Sequence, residues 1–142
     1  MDFSHLGDYA LSVVEADELA RLEAAARDVG EFVRAVRIEE GVTESSLINA
    51  LGKALEFPDY FGRNWDAVGE SMEDLDSAGK NVTLIIWNGE RLLGLECFDL
   101  ITFIRVLVSV DRFWKEQGKT FRTVLSGSRR LYDTIEKMLR PI

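Results

Sequence analysis

The chain has 142 residues, of which 46% are hydrophobic and 30% are charged, and its formal net charge is −8. This length and composition fit one compact domain with a single hydrophobic core. An acidic chain without clustered Lys and Arg cannot bind phosphate backbones well, so we exclude nucleic acid as its partner.

The amino-terminal residues lack the basic region that opens a secretory signal peptide. No apolar run approaches the roughly 20 residues that cross a bilayer. Cys97 is the single cysteine and has no internal disulfide partner, which fits a reducing compartment. We therefore expect a cytoplasmic protein that has no contact with membranes.

The first half of the chain alternates between strand and helix patterns. Residues 9–14 are rich in strand formers, and a helical repeat of apolar residues follows over 17–29 until Gly30 ends it. A second strand is predicted over 32–38. The next helix, over 43–57, begins at a threonine that can cap it and ends at a Phe-Pro step.

The second half continues this alternation. An asparagine can cap a helix over 64–76, and the nearly continuous apolar run at 82–87 is typical of a strand that is covered on both faces. The longest helix is predicted over 96–116 and should pack centrally. A last strand at 121–125 and an amphipathic helix that begins at Ser128 complete the pattern.

Strands that are separated by helices of roughly 10 to 20 residues pair in parallel through right-handed crossovers. We therefore predict an α/β fold with a small open parallel sheet of three or four strands. Ligands of such sheets usually lie at the carboxyl ends of the strands. No Gly-rich loop follows any predicted strand, so a nucleotide site has little support.

The segment 56–76 carries seven acidic residues and one basic residue, Arg63. At 100° per residue its helix has two different sides. The apolar side, which must pack on the domain, consists of Trp65, Val68, Met72 and Leu75. The opposite side carries Asp66, Glu70, Glu73 and Asp74. These four carboxylates project outward together, and each pair weakens the helix by a few tenths of a kcal/mol.

Two glycines frame this acidic side. Gly69, in the middle of the helix, costs roughly 1 kcal/mol relative to Ala. Either close approach by another molecule or packing within the domain explains it. In the preceding loop, Gly62 can supply a positive φ for a turn. Tyr60, in the same loop, is either a core anchor or an aromatic contact for a protein partner.

At these residues the chain resembles the barstar family of intracellular ribonuclease inhibitors. The resemblance rests on the stretch FPDYFGRNWDA, followed by Val68 and Glu70, on a helix that leads through an acidic turn into a strand. It implies a single barstar-like domain with a shared core at 31–126. A strand and helix at 1–30 and a helix at 127–142 are additions to that core.

The resemblance also implies a three-stranded parallel sheet and a protein that is not an enzyme and needs no cofactor or metal. In the family, the loop and helix block the active site of a ribonuclease, so the implied partner is a basic ribonuclease or RNase toxin. Asp66 matches a contact aspartate, and Glu70 takes the place of the central aspartate that mimics a phosphate. The predicted partner-binding residues are Tyr60, Gly62, Asn64, Trp65, Asp66, Gly69, Glu70 and Glu73.

Three departures from the family pattern alter the surface that faces the enzyme. Glu70 is one methylene longer than the aspartate whose place it takes, and Gly69 replaces a tryptophan. Phe113 takes the place of a second contact glutamate on the long helix. A cognate enzyme different from barnase follows from these changes.

Three functions therefore compete. The first is an immunity protein or antitoxin that blocks a basic ribonuclease. The second is a protein-interaction or dimerisation module, in which the terminal additions form a homo-oligomer. The third is a metal-dependent hydrolase built on Asp59, Asp66, Glu70 and Glu73, since hard cations prefer carboxylates. Carboxylates in one exposed helical stripe cannot easily enclose a cation, which disfavours the third.

Overall fold

The computed structural model describes residues 6, 9–58 and 62–140. Within these residues the chain forms a four-stranded sheet, five α-helices and one 3₁₀ helix. The strands are β1 (Leu11–Val14), β2 (Phe32–Arg37), β3 (Val82–Trp87) and β4 (Phe121–Ser126). The helices are α1 (Ala16–Asp28), α2 (Glu44–Ala54), α3 (Trp65–Glu73), α4 (Cys97–Glu116) and α5 (Arg129–Leu139), and the 3₁₀ helix is Gly89–Gly94. This architecture confirms the predicted α/β class.

The described strands are all parallel and lie in the order β1-β4-β3-β2. At the centre, Leu84 of β3 aligns with Arg34 of β2 and with Thr123 of β4. The resemblance implies three strands, and β1 is the fourth, because it pairs with the free edge of β4.

Alternate side chains of each strand enter two separate cores on the two faces of the sheet. In β3, Leu84 and Ile86 join the large core beneath α2, α3 and α4, whereas Ile85 joins a smaller core on the other face. All three side chains are fully buried. The prediction that this strand is covered on both faces is therefore confirmed.

The amino-terminal addition covers the second face of the sheet. Leu19 and Ala26 of α1 pack against Val33 of β2, Ile85 of β3 and Val124 of β4. The sequence leaves open whether the terminal additions extend the sheet, cover its edge or make a dimer. In the structure β1 extends the sheet along the edge of β4, and α1 covers a face of the sheet, which the sequence does not predict.

A buried carboxylate ties this addition to α4. The backbone N–H of Ala10 donates to Oδ2 of Asp111 at 3.3 Å, and Lys115 Nζ lies 3.1 Å from the same oxygen. Asp111 is almost completely buried. The start of β1 is thus held to a helix that lies about 100 residues later in the chain.

The predicted helix caps are confirmed. Thr43 and Ser46 form a reciprocal capping box at the start of α2, and Asn64 and Ser128 accept backbone hydrogen bonds at the starts of α3 and α5. Helix α3, however, ends at Glu73, three residues earlier than predicted. Its last turn has no basic residue, so nothing offsets its carboxylates at the negative end of the helix dipole.

None of the helices in the described part of the chain is long and apolar enough to traverse a lipid bilayer.

We predict that α1 is an integral part of the domain. Leu19 is fully buried, so Leu19→Ala should lower the free energy of unfolding by about 2–5 kcal/mol in urea titration. Val29, which follows the same helix and is 75% exposed, provides the control, because Val29→Ala should change stability by less than about 0.5 kcal/mol. Equal, small effects of the two substitutions would contradict this packing.

Candidate functional site

Helix α3 is anchored by its apolar side. Trp65, Val68 and Met72 are buried, and the indole of Trp65 stacks on Phe103 of α4 with ring centroids 5.5 Å apart. At the other end, Trp114 Nε1 of α4 donates to the carbonyl of Met72 at 3.2 Å. These contacts fix both the position of α3 and its rotation about its own axis.

The opposite side of α3 carries carboxylates without counter-charges. Asp66, Glu70 and Asp74 are exposed, and Glu73 is half-buried. Within the described residues no Lys or Arg forms an ion pair with any of these four. The outer side of α3 therefore carries a negative field that no ion pair within the described part of the chain offsets.

This field acts on Glu73. Burial raises the pKa of the Glu73 carboxyl, and repulsion from Asp74 and then from Glu70 raises it further. Protonating Glu73 therefore relieves part of the repulsion on this side of the helix.

The side chain of Arg63 holds the loop before α3 against α2, a contact that the sequence pattern does not predict. The prediction that Gly62 supplies the positive φ is wrong: the left-handed residue is Arg63, at φ 25°. Its guanidinium donates to Oδ1 of Asn49 on α2 at 2.5 Å. Asn64 then caps α3 by accepting the N–H of Ala67 at 2.8 Å. The tether to α2 thus compensates for a backbone conformation that favours glycine.

Gly69 lies at the seam between α3 and α4. A β-carbon added there would lie 3.7 Å from Cγ1 of Val106, an ordinary van der Waals distance. Packing within the domain therefore does not require glycine at this position. The missing side chain leaves the surface beside Glu70 open.

Two further carboxylates lie close together at the amino-terminal end of α3. Glu44 begins α2, and Asp99 lies in the first turn of α4. A hydrogen bond with Asp99 raises the pKa of Glu44, as do burial and repulsion from Asp99. Trp65 acts in the opposite direction and lowers this pKa, although its buried indole N–H makes no hydrogen bond within the described residues.

The model of the Barstar (barnase inhibitor) family matches residues 31–126, the stretch from β2 to β4. The chain belongs to the barstar family. This confirms the resemblance that the motif carries. A search of curated proteins finds no match. Barstar family members are ribonuclease inhibitors and not enzymes.

The structure brings most of the predicted barstar-like contact residues to one surface. Gly62, Asn64, Asp66 and Glu70 are exposed on the loop and helix, and Gly69 and Glu73 are half-buried beside them. Tyr60 and Asp59 lie outside the described residues.

Trp65 differs from the other predicted contact residues. Its side chain is only 8% exposed, because the indole is stacked within the core. It therefore supports α3 from beneath and does not offer a surface to a partner. Phe113 is half-buried against the same core.

The described residues contain no group of three or more His, Cys, Asp or Glu side chains placed to hold a metal ion. The carboxylates of α3 diverge along one exposed helical side, which disfavours the enclosed coordination that hard cations need.

We predict that Glu73→Gln stabilises the protein at pH 7. The pKa of Glu73 is higher in the native state than in the unfolded state. Between these two pKa values the native state binds more protons, so the stability of the parent protein falls as the pH rises through this range. The gain in the free energy of unfolding should be about 0.2–0.5 kcal/mol for each repulsive carboxylate pair that is removed. It should vanish below the pKa of Glu73 in the unfolded state, where the parent carboxyl is also neutral.

The control for this titration is Glu39→Gln at an exposed loop position. It removes the same charge and should show no comparable dependence on pH. A gain for Glu73→Gln that is as large at pH 3 as at pH 7 would contradict the electrostatic cause.

We also predict that Gly69→Ala raises the free energy of unfolding by roughly 0.5–1 kcal/mol, because alanine is the better helix former and the added methyl meets no clash. Urea titration measures this change. A loss of stability would show that the α3–α4 seam requires glycine.

Proposed function

We propose that this chain is an immunity protein or antitoxin that acts in the cytoplasm and inhibits a basic ribonuclease by blocking its active site. The observation that carries the proposal is the outer side of α3, where Asp66 and Glu70 are exposed beside the preceding loop and form no ion pair within the described residues. A ribonuclease must bind a polyanion, so its active site is rich in Lys, Arg and His. Outward carboxylates on a rigid helix imitate the phosphates of the substrate.

Rigidity supports this proposal as much as charge does. The contacts of Trp65 and Met72 with α4 order the helix before it meets a partner, so less conformational entropy is lost on binding. The negative field also steers a positively charged partner toward this surface, which accelerates association at low ionic strength.

The alternative of a dimerisation module rests on the terminal additions. In the structure, β1 and α1 pack on the sheet of their own chain, and Val13, Leu19 and Ala26 are buried there. The side chains that join this addition to the sheet are therefore not available to a second copy, which disfavours that alternative.

The direct test uses a small basic ribonuclease from the cell that makes this protein. Glu70→Gln should weaken binding by at least about thirtyfold, because an unpaired charge at an interface costs roughly 2–5 kcal/mol. Surface plasmon resonance or stopped-flow fluorescence measures the change. The association rate constant of the parent should also fall steeply as salt is raised.

The matched control is Asp28→Asn at the end of α1, across the sheet from α3. It removes one negative charge from the chain but not from the proposed surface. If it weakens binding as much as Glu70→Gln does, net charge rather than the α3 surface governs recognition and the proposal fails.

A further inference from the structure

A cleft of about 460 Å³ lies between α3 and the chain segment that precedes it. Glu70, Ser71 and Asp74 line one wall, and residues 55–58 line the other. The volume is in the range of small-ligand sites, roughly 300–1,000 Å³. The cleft therefore has room for a long side chain of another protein.

The cleft combines an apolar floor with an acidic rim. Leu55 is buried at its base, and Ala67 and Leu75 are half-buried around it. Asp74 and Asp76 stand at the end that lies beyond Glu70. An apolar surface that leads to carboxylates fits an aliphatic stem that ends in a cation.

The negative charge of this cleft is largely unpaired. Its described lining contains no Lys or Arg. Glu56, on the far wall, pairs with Arg34 at 3.3 Å, and Asp76 uses Oδ1 to accept the N–H of Ala78. Asp74 has no ion pair within the described residues.

We propose that this cleft receives an arginine side chain of the partner, with its stem on Leu75 and Ala67 and its guanidinium between Asp74 and Asp76. Arginine is the best match because its planar fork donates to two carboxylates at once and is more weakly hydrated than an ammonium group. This subsite rests on the proposed inhibitor function and adds to it. Glu70 meets the active site of the nuclease, whereas Asp74 and Asp76 recognise a second cationic group beside it.

The test needs no nuclease. N-acetyl-arginine methylamide is titrated into the ¹⁵N-labelled protein, with N-acetyl-citrulline methylamide as the neutral isostere and N-acetyl-lysine methylamide as the other cation. The arginine probe should shift the amide signals of Ala67, Ser71 and Leu75 most, and the citrulline probe should leave them unchanged. Asp74→Asn should weaken arginine binding by up to about fivefold, the upper end of the range for an exposed charge pair, and Asp28→Asn should not.

Shifts that spread evenly over the acidic surface, or that persist unchanged in Asp74→Asn, would overturn the subsite in favour of general attraction of counter-ions. Equal binding of the lysine probe would overturn the assignment to arginine. Because these measurements involve no nuclease, their failure leaves the inhibitor proposal intact. Failure of Glu70→Gln to weaken nuclease binding would remove that proposal but not a measured arginine site.

Discussion

The packing of α3 on α4 is the constraint on which the surface of this protein depends. Burying side chains such as Val68 and Met72 contributes about 1.5–3 kcal/mol each. Repulsion among the outward carboxylates costs only a few tenths of a kcal/mol per pair. Packing therefore outweighs repulsion, and the helix can hold Asp66, Glu70 and Asp74 in one negative surface that a free peptide could not keep in place.

Packing on both faces of the sheet supports that surface. The large core holds α3 and α4 on one face, and α1 closes the other face, which the family-matched segment does not cover by itself. Asp111 links the two parts, since it accepts a hydrogen bond from the start of β1 while belonging to the helix that carries α3. The amino-terminal strand and helix thus support the segment that matches the family model.

Local features of the site are predictable from sequence because they depend on neighbouring residues. The Asn64 cap spans three positions, and the two sides of α3 follow from helical periodicity. Contacts between distant segments are not predictable in this way. Nothing in the sequence places Glu44 beside Asp99, or Asn49 against Arg63, because the relative positions of helix ends depend on tertiary packing.

Carboxylates at both ends of α3 extend the acidic surface beyond the motif that identifies the family. Glu44 and Asp99 enlarge it at the amino-terminal end, and Asp74 and Asp76 enlarge it beyond Glu70. Under the proposed inhibitor function, a matching nuclease would present cationic groups around its active site as well as inside it. A nuclease without them would leave carboxylates desolvated and unpaired, which would favour one enzyme over others.

In the proposed inhibitor, the α3 surface occupies the place of RNA phosphates. Binding of the protein to a catalytically inactive ribonuclease, in the presence of increasing amounts of a mononucleotide that fills the active site, tests this by competition. The nucleotide and the protein should exclude each other, so the apparent association constant of the protein should fall in proportion to the fraction of active sites left free. A stable ternary complex with unchanged affinity would contradict the proposal.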